Sequence, residues 1–342
     1  MRRYPAEWEA QSGVQLTWPH ANSDWAPYLS QVEPVFVQIA RHICAHEKLL
    51  LVCRNNEHQQ HVMSLLTDAD IDRKQIHIHL HDSNDTWARD HGPICIEEDG
   101  EPLLLDFVFN GWGNKFDAVL DNALTPALHH LGAFHTTGLE RHDFILEGGG
   151  LETDGMGCLL TTQHCLLSPQ RNPQYSQQEI EGYLKKTLGL QQILWLQHGH
   201  LQGDDTDSHI DTLVRFADPS TLIYVACDDP SDSHYEDLRA MEQELKAFRT
   251  QDGQAYRLLP LPWPRAIYDD EGQRLPASYA NFLIINGAVL VPSYRDPADQ
   301  QALTVITQAF PQHEIIAIDC LPLIYQYGSL HCVTMNYIDG IL

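Results

Sequence analysis

Several features that would assign a common class are missing from this 342-residue sequence. It has no run of 18 or more apolar residues, so no segment is predicted to span a membrane. Pro5, Glu7 and Glu9 follow the two N-terminal arginines where a secretory leader would need an apolar core, so we predict no signal peptide. The eight cysteines form neither a CxxC pair nor a dense framework, which favours reduced thiols and a cytoplasmic protein.

Positive charge is also scarce. There are 21 lysines and arginines against 47 aspartates and glutamates, and the formal net charge is -26. An acidic surface repels phosphate backbones and attracts small cations, so nucleic-acid binding is not expected. The glycine-rich phosphate loops GxGxxG and GxxxxGK[ST] are absent as well, which removes the two commonest nucleotide-binding interpretations. A small cationic ligand is therefore the favoured partner.

Aliphatic and β-branched runs alternate with segments of helical spacing along the chain, which predicts an α/β protein. The predicted strands cover residues 49–54, 75–80, 102–110, 158–167, 222–227 and 282–294. The predicted helices cover residues 30–48, 58–67, 176–188, 233–250 and 298–309. No linker marks a domain boundary, and a spacing of about 60 to 70 residues between units suggests a repeated supersecondary unit.

Two polar clusters in the first half of the chain are candidates for binding. In DTWARDHGP (85–93), Trp87 and Asp90 together suit a guanidinium or ammonium group, which gains an ion pair and a ring-face contact. A loop with a surface ion pair and a buried tryptophan is the alternative. In LEGGGLETDGMG (146–157), three glycines behind Glu147 allow a close backbone approach, and a plain glycine-rich hairpin is the alternative.

A third cluster, GDDTDSHID (203–211), suggests proton transfer. If its end is a strand, His209 and Asp211 point to the same face and place an imidazole beside a carboxylate. We therefore favour a general acid/base histidine. A calcium loop lacks the EF-hand spacing, and a metal pair would need further ligands that the sequence does not identify.

The fourth cluster, GSLHCVT (328–334), contains the candidate nucleophile. A glycine and a serine precede Cys332, which would let its thiolate reach solvent and a substrate. The adjacent His331 would face the opposite side of a strand, so another histidine must activate the thiol. An inert buried thiol is the alternative for Cys332 and the interpretation for the other seven cysteines.

In this order, the four clusters resemble the agmatine deiminase and bacterial-type peptidylarginine deiminase family of the guanidino-group-modifying pentein superfamily. The resemblance also includes PAEWEAQSGVQLTWPHANSDW near the start, FNGWGNKF (109–116), CLLTTQHCLLSPQRNP and YANFLIINGAVLVPSY, so it covers nearly the whole chain. It implies a single catalytic domain, residues 1–342, in which five ββαβ units form a five-bladed, pseudo-symmetric α/β propeller around a central site. It implies no metal and no organic cofactor.

The same resemblance assigns roles to individual residues. The nucleophile falls on Cys332 and the general acid/base on His209. Asp90 and Asp211 would grip the guanidinium of the substrate. Glu147 would hydrogen-bond and orient the histidine.

Two further residues are implied for the substrate pocket. Trp87 would form a wall of it. Asp205 stands four residues before the histidine, where family agmatine deiminases usually carry a glutamate, and its reach is shorter. The stretch YGSLHC also has fewer glycines than the family pattern.

The function implied is hydrolysis of agmatine to N-carbamoylputrescine and ammonia, through an S-alkylthiouronium intermediate on Cys332, in putrescine and polyamine synthesis. One alternative keeps the chemistry and takes peptidyl or free arginine as substrate. A second is a non-catalytic small-cation-binding member of the fold. A third is a zinc hydrolase using His209, Asp211 and Cys332. A homodimer is an open alternative for the assembly.

Overall fold

The computed structural model describes residues 1–342. The strands, β1 to β17 in chain order, are Arg2–Arg3, Gln11–Thr17, Lys48–Cys53, Ile76–Leu80, Ile94–Glu98, Glu101–Val108, Gly138–Ile145, Glu152–Thr153, Cys158–Thr162, Gln192–Leu196, Val214–Asp218, Thr221–Val225, Arg257–Leu261, Leu283–Ile285, Ala288–Ser293, Glu314–Asp319 and Thr334–Ile338. The helices, α1 to α10, are Leu29–His46, Asn56–Asp68, Ala88–His91, Gly111–Asn114, Val119–Asn122, Leu124–His130, Gln163–Leu166, Gln177–Leu188, Tyr235–Ala247 and Asp299–Ala309. Short 3-10 turns occur at Arg73–Gln75, Gly148–Gly150, Ile210–Thr212 and Ile324–Gln326.

The strands form five separate small sheets with the same internal plan. Their orders are β1-β5-β6-β7, β10-β9-β8, β11-β12-β13, β14-β15-β16 and β17-β2-β3-β4. Each sheet contains an antiparallel pair extended by a parallel strand. A parallel neighbour requires a crossover, and helices α1, α6, α8, α9 and α10 lie in these crossovers. The α/β prediction and the repeated unit are therefore both found in the structure.

Two predicted strands differ from the structure in informative ways. The run 158–167 leaves the strand at Thr162, whose hydroxyl accepts a hydrogen bond from the backbone N–H of Cys165 and so caps helix α7. The run 282–294 is a hairpin rather than one strand. Asn286 and Gly287 turn the chain between β14 and β15, and Gly287 has a φ of 76°. Asn-Gly favours this kind of turn, so the sequence did contain the signal.

The two ends of the chain meet in one sheet. Strand β17 pairs antiparallel with β2, so that Thr334 lies opposite Leu16. This pairing places the turn before β17, which contains Cys332, beside the N-terminal segment. A cluster of 62 buried apolar residues runs through four of the sheets, and a second of 16 packs α8 against β5, β6 and β7. None of the helices has the length and apolar character needed to cross a membrane.

Candidate active site

Cys332 lines a pocket that encloses about 400 Å³ of space, part of it open to solvent. The lining includes four carboxylates and four aromatic rings, but no lysine, arginine or histidine. The carboxylates belong to Asp24, Asp85, Asp90 and Asp205, and the rings to Trp87, Trp112, Phe116 and Tyr327. The predicted residues Cys332, Asp90, Trp87 and Asp205 thus share one cavity. Its acidic and aromatic surface suits an organic cation.

The Cys332 side chain is held at the pocket by an amide and a carboxylate. Its Sγ lies 3.3 Å from Nδ2 of Asn281 and 3.9 Å from Oδ2 of Asp211. Oδ1 of Asn281 accepts a hydrogen bond of 2.9 Å from the backbone N–H of His331, which fixes the turn. Burial, together with the negative charges of Asp211 and Asp90, raises the pKa of the Cys332 thiol well above its usual value. A bound cation would reverse the electrostatic part of this effect.

The two predicted guanidinium ligands are buried and held differently. Asp90 accepts hydrogen bonds at Oδ1 from the backbone N–H of Gly149 (2.9 Å) and at Oδ2 from Nε1 of Trp112 (3.0 Å). Oδ2 of Asp211 lies 2.7 Å from Nδ1 of His331, whereas Oδ1 of Asp211 is buried without a partner. An unpaired buried acceptor is unfavourable by about 1–3 kcal/mol, so this atom is ready to accept a substrate N–H.

The same neighbours set the ionisation of the two carboxyls. Burial raises the pKa of Asp90, although the charge of His209 opposes the shift. Burial would also raise the pKa of Asp211, but the hydrogen bond and the charge of His331 outweigh it, and the pKa falls below its ordinary value. Asp211 is therefore the more firmly ionised of the pair.

His209 lies beside Asp90 with both ring nitrogens buried and without hydrogen-bond partners. Nδ1 of His209 is 3.6 Å from Oδ1 of Asp90. Burial lowers the pKa of His209, but Asp90, Cys165 and Glu147 outweigh it and raise the pKa well above its ordinary value. This environment favours the imidazolium form, which an acid catalyst requires.

Glu147 contributes in a different way from the one predicted. It accepts two hydrogen bonds, of 2.8 and 3.0 Å, from Nε of Arg171 and makes none with His209. Arg171 also donates to Oδ2 of Asp207 (2.6 Å) and to the backbone carbonyl of Thr206 (2.8 Å), in the loop that precedes the histidine. Glu147 therefore acts on His209 through its charge and through the arginine that holds the histidine loop.

The local backbone expected for two clusters was wrong. His209 precedes the 3-10 turn Ile210–Thr212, which contains Asp211, and the strand begins only at Val214. Cys332 lies in a turn, not in a strand, and β17 starts at Thr334. Asp211 still approaches Cys332 and His209 still approaches Asp90, although neither His209 nor Asp211 lines the pocket itself. Strand periodicity could not have predicted that.

Trp87 and Asp205 both lie on the surface of the pocket. Trp87 is buried, and a β-carbon at Gly328 would collide with its indole ring, so the glycine allows the turn before Cys332 to pack closely on the tryptophan. Asp205 lies on the pocket surface, and burial with the neighbouring charge of Asp204 raises its pKa to about 7. A cation bound nearby would favour the ionised form of this carboxyl.

Sequence reasoning missed the contributions of Asn281, Trp112, Arg171 and Cys165. The first two lie in YANF and FNGWGNKF, stretches that showed family resemblance but carried no assigned role.

The zinc set considered from the sequence, His209 with Asp211 and Cys332, does not converge. The three side chains whose ligand atoms lie within 4.8 Å of one another are Glu147, Cys165 and His209. Glu147 is already paired with Arg171, and the positive charge of that arginine disfavours a metal ion at this position.

The middle glycine of the Gly148–Gly150 turn gives a direct test of this geometry. A β-carbon on Gly149 would lie 2.5 Å from Nδ1 of His209 and 2.8 Å from Oδ1 of Asp90. Gly149→Ala should therefore displace both side chains and lower kcat/KM by about a hundredfold or more. Steady-state kinetics on the folded variant would measure this. Gly182→Ala, in an exposed helix position with no atom near the added carbon, is the matched control, and equal activity of the two variants would contradict the geometry.

Known proteins resemble this chain over nearly its whole length. The family model described as Porphyromonas-type peptidyl-arginine deiminase matches residues 3–337. The agmatine deiminase of Stutzerimonas stutzeri is 31% identical over 358 residues, covering 97% of this chain and 94% of the relative. A solved Campylobacter jejuni agmatine deiminase, a cysteine-to-serine variant with substrate bound, is 39% identical with a TM-score of 0.92, covering 100% of this chain and 98% of that one. A solved Porphyromonas gingivalis protein provisionally named an arginine deiminase is 53% identical over 100% of both chains, with a TM-score of 0.95.

These matches confirm the family predicted from the sequence, and the structure confirms the α/β class. They extend over the polar clusters and the elements that place them. The chain therefore belongs to the Porphyromonas-type peptidyl-arginine deiminase family, in company with the agmatine deiminases.

Proposed function

We propose that this protein is an agmatine deiminase, a hydrolase that converts agmatine and water to N-carbamoylputrescine and ammonia. The observation that carries the proposal is the pocket at Cys332, which presents four carboxylates and no basic side chain. Agmatine carries a guanidinium at one end and an ammonium at the other, and both are cations that such a pocket stabilises. The relatives named agmatine deiminases, at 31% and 39% identity, support the same substrate.

Substrate binding prepares the nucleophile. The guanidinium N–H groups donate to Asp90 and to the free Oδ1 of Asp211, and Trp87 provides an aromatic wall. The central carbon then lies opposite Sγ of Cys332. Because the thiol pKa is raised by burial and by two carboxylates, the arriving cation favours loss of the thiol proton and so forms the attacking thiolate.

His209 moves the protons in the two chemical steps. The thiolate of Cys332 forms a C–S bond to the guanidinium carbon, and His209 in its imidazolium form protonates the departing nitrogen, which leaves as ammonia. The planar S-alkylthiouronium that remains is attacked by water as the now neutral His209 takes a proton from it. Breaking the C–S bond returns the thiolate, and loss of the remaining hydroxyl proton to solvent gives the neutral ureido group of the product.

The assembly of the site from loops of different sheets supports the finer architecture. We propose that the five sheets are the five blades of a propeller, in a single catalytic domain of residues 1–342 with the site at its centre. All eight cysteines are free thiols, the state that a reducing cytoplasm maintains. The homodimer stays a prediction that size measurement in solution would test.

Substrate choice is tested by comparing kcat/KM for agmatine, n-butylguanidine, free arginine and a peptide with C-terminal arginine, using release of ammonia as the signal. We expect agmatine to be best, n-butylguanidine weaker because it lacks the ammonium, and arginine at least about a hundredfold weaker because its carboxylate meets only acids. Asp205→Asn should reduce the ratio of kcat/KM for agmatine to kcat/KM for n-butylguanidine. Asp252→Asn, at an exposed site, should leave this ratio unchanged.

The family name and the Porphyromonas gingivalis relative favour the competing arginine substrate. Turnover of the arginine peptide with no turnover of agmatine would overturn the agmatine proposal and keep the deimination chemistry. Binding of agmatine without ammonia release by any of these compounds would instead favour a non-catalytic cation-binding protein.

A further inference from the structure

His331, next to the nucleophile, faces away from the substrate pocket. Cys332 lines that pocket, whereas His331 lines a second cavity on the other side of the turn, together with Glu7, Arg89 and Glu152. The histidine is almost completely buried, with 1% of its surface exposed. It therefore cannot meet the substrate, and any effect on the reaction must pass through its neighbours.

The two ring nitrogens of His331 join two carboxylates. Nδ1 lies 2.7 Å from Oδ2 of Asp211, and Nε2 lies 2.7 Å from Oε2 of Glu7. An ionised carboxylate only accepts hydrogen bonds, so a His331 ring with a proton on both nitrogens would donate to both carboxylates at once. The Glu7 carboxylate is ionised because Arg215 and His331 outweigh the effect of burial and lower its pKa.

Glu7 is itself fixed in place. Oε2 accepts a hydrogen bond of 3.0 Å from Nη2 of Arg215, and Oε1 accepts one of 2.8 Å from the backbone N–H of Ile284. Arg89 adds a cation 3.7 Å from Oε2. Glu7 thus clamps the His331 ring at Nε2, and the ring in turn holds Asp211 through Nδ1.

We propose that His331 is a positioning residue for deimination: clamped by Glu7, its imidazolium holds the Asp211 carboxylate ionised and engages Oδ2, which leaves Oδ1 for the substrate guanidinium. This inference rests on the proposed function. It also explains why a histidine adjoins the nucleophile although it cannot take the proton of the thiol.

The other charged groups around Asp211 do not replace this contact. His209 from the same loop and Arg215 from β11 are cations near the carboxylate, but neither donates a hydrogen bond to it, and Arg215 is engaged by Glu7 and Glu152. Asp90 from α3 carries a negative charge that repels Asp211, and Cys332 offers only a thiol at 3.9 Å. Without His331, burial and Asp90 would both raise the pKa of Asp211.

The direction of the pH effect follows from these contacts. A carboxyl with a lowered pKa keeps its negative charge as the pH falls, so Asp211 should bind the cation throughout the range from pH 5 to pH 9. If the cation at Oδ2 is lost, the pKa of Asp211 rises. The attraction for the guanidinium is then present only above that higher pKa and disappears as the pH decreases.

The experiment measures agmatine affinity by calorimetry between pH 5.5 and pH 8.5 in Cys332→Ser, which cannot turn the substrate over, and in the same protein with His331→Asn. Asparagine can still donate to Asp211 but carries no charge and does not reach Glu7. We expect the double variant to bind at least about tenfold more weakly than its parent at pH 5.5 and to approach it at pH 8.5. Other groups that titrate, such as Asp205 and His209, are common to both proteins. Their effects therefore cancel in the ratio of the two dissociation constants, that of the double variant divided by that of its parent.

Two further variants separate this role from a structural one. Glu7→Gln removes the clamp without changing size, so it should shift the same ratio in the same direction by a smaller factor, and it supplies the readout if His331→Asn does not fold. His313→Asn, at a partly buried histidine that lines neither cavity, should leave the ratio at one. If the ratio of dissociation constants is the same at pH 5.5 and pH 8.5 for both His331→Asn and Glu7→Gln, the positioning role is overturned. Failure of the Cys332→Ser parent to bind agmatine at any pH refutes the proposed function itself.

Discussion

Replacement of Cys332 by alanine is expected to abolish ammonia release from agmatine, with a loss of at least about four orders of magnitude in kcat. The thiol is the group that would form the covalent bond to the guanidinium carbon, and Asn281 and Asp211 hold it in position. Without it, the pocket can still bind and orient the substrate but has no sulfur to attack it. Ammonia release measured at saturating agmatine would give the size of the loss.

The matching serine variant makes this prediction specific. Cys332→Ser keeps the shape of the site and should bind agmatine, but a hydroxyl ionises far less readily than a thiol, so turnover should be lost as well. Cys227→Ser, at a partly exposed cysteine outside the pocket, serves as the control and should be fully active. Mass spectrometry of wild-type protein quenched during turnover should locate an amidino adduct on Cys332. Ammonia release by Cys332→Ala, or an adduct on another residue, would remove the mechanism.

The second large effect is expected at His209. His209→Gln should lower kcat by about a hundredfold to ten-thousandfold, because the departing ammonia and the attacking water both lose their proton carrier. Agmatine should still bind, since the proposed guanidinium contacts are those of Asp90 and Asp211. Steady-state kinetics give kcat, and calorimetry with Cys332→Ser combined with His209→Gln gives the affinity.

The pH profile distinguishes loss of an acid from general damage to the site. The pKa of His209 is raised above its ordinary value by Asp90, Cys165 and Glu147 in spite of burial. The free site therefore favours the imidazolium needed to release ammonia, and kcat/KM should fall as the pH rises through that raised pKa. This alkaline decrease should be absent in His209→Gln. His234→Gln, at another buried histidine, should retain both the activity and the decrease, and an unchanged profile in His209→Gln would contradict the assignment.

The family, the fold and the acid-rich site could be predicted because their signals are local in the chain. The motif around Asp90, the histidine loop and the turn at Cys332 each kept a recognisable order of residues. The strand and helix pattern was visible for the same reason, since side-chain periodicity is a property of neighbouring residues. Errors arose where a turn replaced a strand, as at Asp211 and Cys332.

The roles of Glu147 and His331 could not be obtained in this way, because both depend on partners distant in sequence. Glu147 is held by Arg171, which is 24 residues away, and His331 reaches Glu7, which is 324 residues away. A sequence shows which groups can form ion pairs but not which of them are brought together when the sheets pack. Desolvation makes a buried charge unfavourable unless a partner offsets the cost, so only charges that packing brings into contact can be buried together.

The amino-acid sequence by itself therefore determined the class of protein, the candidate nucleophile and acid, and the preference for a cation, since each follows from residue types and their order. Only the tertiary structure decided the charge state of these groups and which oxygen of Asp211 stays free for a substrate. Ionisation inside a protein depends on distance and burial, and both come into existence when segments from opposite ends of the chain meet, as β17 and β2 do here.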